Sequence, residues 1–183
     1  MKKIVITGGL GYIGTELCKI YSGHSWNDKI TVIDNRFISE RVNQIRNWNM
    51  DFVQGDILDK ELIKKHCSDA DIIHHLAGIT DVPRVKSQSN ADHDKKIIEV
   101  AQEGTQNILD VMKDDCKIVM PSTHVVYEGV KEVKKNILEG EKTCPSLSYG
   151  KSKAINEQQL IKSGKNYVIL RLGSVYGYSV DTT

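Results

Sequence analysis

The chain has 183 residues, with 25 Lys and Arg against 24 Asp and Glu, so its formal charge is +1 at neutral pH. That length suits one sizeable domain and is short for two. So even a balance gives no electrostatic reason to expect nucleic acid or an anionic membrane as a partner, and no apolar run approaches the eighteen or so residues of a membrane-spanning helix.

The first predicted element is a buried strand, because "KKIVITG" carries Ile4, Val5 and Ile6 in one apolar run. It feeds directly into "ITGGLGYIGTEL", with glycine at positions 8, 9, 11 and 14. Ile13, Leu17 and Ile20 then recur at helical spacing, with Tyr12 and Glu16 between them, which predicts a helix starting near Gly11. Both Gly9-x-Gly11-x-x-Gly14 and Gly8-x-x-Gly11-x-x-Gly14 can be read in this turn. In a dinucleotide-binding turn one glycine allows positive φ, one admits a pyrophosphate to the backbone, and one lets helix and strand pack closely. The phosphates then meet free N–H groups and the positive end of the helix dipole.

A glycine-rich structural loop would show the same letters, so the next element has to discriminate. "KITVIDNR" predicts a second strand, Ile30 to Ile33, ending in Asp34 twenty residues after Gly14. From that position a carboxylate accepts hydrogen bonds from an adenosine ribose, whereas a loop residue or helix cap has no such requirement. A carboxylate there repels a 2′-phosphate and favours NAD over NADP, and the neighbouring Arg36 keeps NADP open.

"DFVQGDI" predicts a third short strand, "DKELIKKHC" a short polar helix, and "DADIIHHLAG" a buried strand ending in small residues. From about Asn90 to Met112 an amphipathic helix presents Ile97, Ile98, Ala101, Thr105, Ile108 and Val111. "CKIVMPST" is a fifth strand, Glu128 to Ser146 is polar and irregular, "SYGKSKAINEQQLI" is a helix, and "NYVILRLGSVYG" is a sixth strand with its exit loop. Strands alternating with helices require right-handed crossovers and a parallel sheet covered on both faces. The predicted architecture is one α/β domain, a doubly wound parallel sheet of the Rossmann type in three αβα layers, binding its ligand beyond the carboxyl ends of the strands.

Cys18, Cys67, Cys116 and Cys144 are widely separated, with no C-x-x-C pair to hold zinc, and a reducing cytoplasm is their simplest home. His74 and His75 lack metal-ligand spacing, so no metal site is expected. The most informative pair is Tyr149 and Lys153 in "SYGKSK". Four residues apart on one helix, they share a face, and a nearby ammonium should lower the phenol from its usual value of roughly 10 towards the range of a working acid or base.

With these residues in place, the chain resembles the extended short-chain dehydrogenase/reductase family, particularly its NAD-dependent sugar-nucleotide epimerases and dehydratases. The matching stretches are "TGGLGYIG", "VIDN", "GDI", "HLAG", "PSTHVVY", "YGKSK" and "LRLGSVYG", in the family's order from Thr7 to Gly177. The resemblance implies that Tyr149 is the general base for a sugar hydroxyl as hydride leaves for NAD. Lys153 would lower its pKa and hold the nicotinamide ribose, and Thr123 would hydrogen-bond the reacting oxygen. The cofactor set it implies is Gly8, Gly11, Tyr12, Ile13, Gly14, Asp34, Asn35, Asp56, Ile57, Leu76, Ala77, Gly78 and Ser122, with Tyr149 and Lys153. Asp56 and Ile57 would lie against the adenine, and Leu76, Ala77 and Gly78 would line the cofactor's path.

The chain also departs from the family's pattern. In the dehydratases an acidic pair usually follows the threonine, and here those positions are His124 and Val125, which favours epimerisation or simple oxidoreduction. Ala101 and Ser174 stand where family members often carry asparagines. Family members continue into a C-terminal region that supplies most of the substrate pocket, whereas this chain stops at Thr183; the expectation is a fragment, a truncated product or one half of a split enzyme. The implied partners are a nucleotide-sugar and a second copy, paired through the Asn90–Met112 and Tyr149–Ser163 helices. A non-catalytic NAD-binding protein of the same fold and a reductase of a non-sugar carbonyl stand as alternatives.

Overall fold

The computed structural model describes residues 1–24, 27–80, 90–131 and 135–177. The chain runs β1 (Lys3–Thr7), α1 (Tyr12–Ser22), β2 (Lys29–Asp34), α2 (Ser39–Asn47), β3 (Asp51–Gln54), α3 (Lys60–Cys67) and β4 (Ile72–His75). It continues with α4 (Ala91–Val111), β5 (Lys117–Thr123), a 3₁₀ turn (His124–Tyr127), α5 (Ser148–Ser163) and β6 (Asn166–Leu172). The six strands form one parallel sheet in the order β3-β2-β1-β4-β5-β6, the Rossmann arrangement. The order reverses between β1 and β4, which opens a crevice at their carboxyl ends.

Alternation along the strands builds two cores. Val5, Ile33, Ile73, Ile118 and Met120 point to one face, where Ile63 and Cys67 of α3, Ile108 and Leu109 of α4 and Leu160 of α5 close over them. Ile4, Ile6, Ile30 and Val32 point to the other, under Cys18 of α1 and Val42 and Ile45 of α2. A fully buried aliphatic side chain contributes about 1.5–3 kcal/mol relative to an exposed one, so these two layers supply most of the driving force.

Two features differ from the sequence reading. Helix α2 has no counterpart there, because only Val42 and Ile45, together with the aliphatic part of Arg41, are buried in an otherwise polar "SERVNQIRN". The sheet is also not evenly covered: α1 and α2 lie over β1–β3, while on the same side Val119, Pro121, Leu170 and Leu172 line an open groove of about 540 Å³. The apolar stripe of α1 faces this groove as well, so Ile13 is 37% exposed and Ile20 59%, while Gly14 and Cys18 make the buried contact.

Candidate functional site

The turn between β1 and α1 has the geometry that its glycines predict. Gly8 has φ +71°, and a Cβ there would lie 2.6 Å from the Ala77 nitrogen. At Gly14 a Cβ would lie 2.5 Å from the Gly8 carbonyl oxygen, so α1 and the turn touch through backbone alone. Gly11 is the N-cap of α1, no side chain caps that end, and its first turn holds no acidic residue. The N–H groups of Tyr12 and Ile13 therefore face outward at the positive end of the helix, suited to a diphosphate.

Asp34, 5% exposed at the end of β2, braces this turn: its Oδ2 accepts from the Leu10 N–H at 3.0 Å and its Oδ1 from the Arg36 N–H at 3.0 Å. Arg36 Nε donates to the same Oδ1 at 3.3 Å, and its guanidinium reaches the edge of Gly11. An ionised carboxylate offers about four acceptor positions, so Asp34 retains capacity for a ribose hydroxyl. Asn35 donates through Nδ2 to Asp56 Oδ2 at 3.0 Å, which joins two of the residues expected at the adenine end. Ile57 turns its side chain into the core beside Gly104, and its carbonyl accepts from Asn107 Nδ2 at 3.0 Å, so only its backbone is left for a ligand.

Leu76 lines the groove and Ala77 lies against Gly8, its N–H directed at Thr7 Oγ1 3.3 Å away. Gly78 is exposed with open space around it. Ser122 is spoken for inside the fold: its hydroxyl donates to Glu157 Oε1 at 2.5 Å. Glu157 in turn takes a bidentate pair from Arg171, with Nη2 to Oε2 at 2.6 Å and Nε to Oε1 at 3.0 Å, which clamps α5 to β6.

The remaining candidates converge at the carboxyl ends of β5 and β6. Thr123 ends β5, is 7% exposed, and its Oγ1 accepts from the Val125 N–H at 3.2 Å to start the 3₁₀ turn. Gly150 in the first turn of α5 sits against that turn, since a Cβ there would lie 3.1 Å from the Val125 carbonyl oxygen. Tyr149 is thereby held next to the Thr123 end of β5. Glu128 Oε1 accepts from the Ser146 and Leu147 N–H groups at 3.0 and 2.6 Å and fixes the chain where it enters α5, whose N-cap, Leu147, offers no side-chain cap.

Lys153 follows Tyr149 by one turn on the same face of α5 and is 7% exposed. Burial lowers its pKa from 10.5 to about 8. The sequence reading expected the tyrosine to be lowered; instead burial raises the Tyr149 phenol above its usual value. The cause is desolvation of the half-buried phenol, and the Lys153 ammonium does not figure in the shift.

Sequence reasoning missed the layer behind these groups. His75 is 2% exposed, its Nδ1 lies 2.9 Å from Thr7 Oγ1, and its Nε2 lies 2.9 Å from Thr105 Oγ1. Asn156 Nδ2 donates to Thr105 Oγ1 and to the Ala101 carbonyl, each at 2.7 Å. Burial, followed by the charge of Lys153, pushes His75 down to about 3. The adjacency of Thr7 to the glycine turn was the one available signal in the sequence. Among the described residues no group of His, Cys, Asp and Glu is arranged to hold a metal, and no helix is long and apolar enough to cross a membrane.

The sheet order, the glycine turn and the strand-end carboxylate together define a Rossmann-type α/β fold. The chain belongs to the NAD dependent epimerase/dehydratase family, which matches it over residues 4–183. It is 28% identical to a CDP-paratose 2-epimerase of Salmonella typhi over 96% of this chain and 58% of that one. It is 30% identical to a dTDP-D-glucose 4,6-dehydratase of Dictyostelium discoideum, over 97% of this chain and 44% of the relative. Among solved structures, the UDP-glucuronic acid 4-epimerase of Bacillus cereus in complex with NAD superposes with a TM-score of 0.76 at 25% identity, covering 96% of this chain and 57% of that one. The chain thus spans about half the length of the relatives it matches.

Proposed function

We propose that the chain is the cofactor-binding part of an NAD-dependent sugar-nucleotide epimerase, with Tyr149 as the group that takes and returns a sugar hydroxyl proton. The observation that carries this reading is the placement of Lys153, buried on the Tyr149 face of α5 with its pKa lowered to about 8, at the sheet end that also holds the glycine turn. Gly8, Gly11 and Gly14 would admit the pyrophosphate, Asp34 the adenosine ribose, Asn35 and Asp56 the adenine side, and Lys153 the nicotinamide ribose. NAD supplies the acceptor and donor of hydride. The chain's own residues handle the proton: Tyr149 at the phenol oxygen, Thr123 by orienting the reacting oxygen, and Lys153 by placing positive charge beside a developing phenolate.

Inversion through a transient keto sugar is favoured over elimination because His124 and Val125, and no acidic pair, follow Thr123. His124 is exposed and its Nδ1 lies 3.2 Å from the Leu172 carbonyl, consistent with a role in holding the turn. The substrate pocket would be completed by polypeptide beyond the described residues, seated on the apolar groove beside α1, β5 and β6.

The reading is tested by thermal-shift titration of the 183-residue chain with NAD and NADP, each with and without UDP-, dTDP-, CDP- and GDP-sugars. A ligand that binds the folded state raises the midpoint in a concentration-dependent way. A response to NAD, larger than to NADP and extended by one sugar-nucleotide class, is expected. Absence of any response to either dinucleotide would overturn the reading, and a response to NAD alone would favour the non-catalytic NAD-binding alternative or a chain without its substrate half.

A further inference from the structure

Thr7, His75, Thr105 and Asn156 come from β1, β4, α4 and α5, and each is at least 96% buried. Their side chains form one unbroken line of hydrogen bonds at 2.9, 2.9 and 2.7 Å. At one end Thr7 precedes Gly8 and receives the Ala77 N–H, so it holds the contact that makes Gly8 obligatory. At the other end Asn156 lies one turn beyond Lys153 and two beyond Tyr149 on α5. Apolar side chains would join the same elements without the desolvation that four buried polar groups incur. What such groups add is direction: a hydrogen bond resists sliding and rotation of α5 against the sheet, where aliphatic contacts allow both.

We propose that His75 is a positioning residue, whose neutral imidazole, held between Thr7 and Thr105, ties the dinucleotide turn to α5 and so sets the position of Lys153. The inference rests on the reading of the glycine turn and Lys153 as an NAD site. The groups facing the imidazole are the Thr7 hydroxyl from β1, the Thr105 hydroxyl from α4, and, from α5, the ammonium of Lys153, the only charge among them to act on it. A neutral ring can sit this near a buried ammonium without repelling it, and the low pKa of His75 keeps it neutral throughout the physiological range. Lys153 itself has no hydrogen-bond or ion-pair partner among the described residues, so its position follows from that of α5.

Thr105 allows the link to be cut without changing its shape. Thr105→Val keeps the volume and removes the hydroxyl, whereas Thr105→Ser keeps the hydroxyl and removes the methyl group. Two quantities are read on each: the dissociation constant for NAD, and the titration of Lys153 by NMR of the chain labelled at lysine Cε, assigned with Lys153→Met. The proposal expects Thr105→Val to weaken NAD binding by about tenfold and to return the Lys153 pKa from about 8 towards its ordinary value, with Thr105→Ser near the parent in both. A packing role predicts the opposite order, with Ser the more damaging change, and that result, or equal behaviour of the two variants, would overturn the proposal. Failure of the parent chain to bind NAD would instead refute the NAD site, while the Lys153 titration, which requires no cofactor, still decides whether the line positions the lysine.

Discussion

The two sides of the strand trio β4-β5-β6 make an instructive comparison, because the same strands supply both. On one side Ile73, Ile118 and Met120 are fully buried beneath α4 and α5. On the other Val119, Pro121, Leu170 and Leu172, no less apolar, line an open groove with Ile13, Leu17 and Val175. Parallel sheets are stable when both faces are covered, and a contiguous apolar patch marks a surface that takes a partner. The covered side includes the hydrogen-bonded line that reaches from Thr7, beside the glycine turn, to Asn156 of α5. The open side adjoins the exit of β6, with Val175 and Tyr176 among its lining residues. On the proposed reading, cofactor binding and substrate binding divide along the sheet: the first would be built from the described residues, and the second would use the groove.

The comparison is broken most easily by matched truncations on adjacent strands. Ile118→Ala, on the covered side, should destabilise the chain by about 2–5 kcal/mol in urea denaturation. Leu170→Ala, 43% exposed on the open side, should cost less than about 1 kcal/mol. Equal losses would mean that the groove is closed in solution.

The next largest effect is on pH dependence, where the covered side supplies Lys153 and His75. Lys153 has an ordinary pKa of 10.5 and a folded value of about 8, so between these limits the unfolded chain binds more protons than the folded one. The Lys153 contribution to stability should therefore grow as pH increases from about 8 to 10.5, against the opposite contribution of the buried thiols of Cys18, Cys67 and Cys116, which burial raises from 9.0 to about 12, 12 and 11. Lys153→Met should make the urea-midpoint profile fall more steeply over that window than the parent's. His75 acts in acid with the same sign: ordinary value 6.5 and folded value about 3, so stability should fall as pH drops from 6.5 towards 3. A Lys153→Met profile parallel to the parent's between pH 8 and 10.5 would remove the buried lysine from the account.

The smallest expected effect sharpens the choice of cofactor. Arg36 is exposed and pairs with Asp34 at 3.3 Å beside Gly11. Arg36→Leu should leave NAD affinity within roughly two- to fivefold of the parent, as an exposed ion pair warrants, while lowering NADP affinity by more. Paired calorimetric titrations with the two dinucleotides check this, and a larger loss for NAD would reverse the assigned role of Arg36.

Much of this was legible in the sequence because it is local. Apolar runs at strand spacing and the Gly8–Gly14 turn are written in consecutive residues, and the i,i+4 relation of Tyr149 and Lys153 follows from helical geometry alone. Helix α2 was not legible because two buried aliphatics in nine residues give no period to read. The direction of the Tyr149 shift was missed because desolvation depends on tertiary burial, which spacing does not report. The Thr7–His75–Thr105–Asn156 line was invisible for a related reason: its members are separated by 68, 30 and 51 positions, and each is an ordinary polar residue until the fold buries it. The open groove was hidden as well, since alternating apolar residues on a strand look the same whether or not a layer lies above them.

The most direct test of the central claim, that these residues build an NAD site by themselves, is isothermal titration of NAD into the chain, with Gly14→Val as its control. A Cβ at Gly14 would lie 2.5 Å from the Gly8 carbonyl oxygen, so valine must displace the turn from the helix. The account predicts one saturable site per chain in the parent and no measurable binding in Gly14→Val. No binding in the parent, or equal affinity in both, would contradict it.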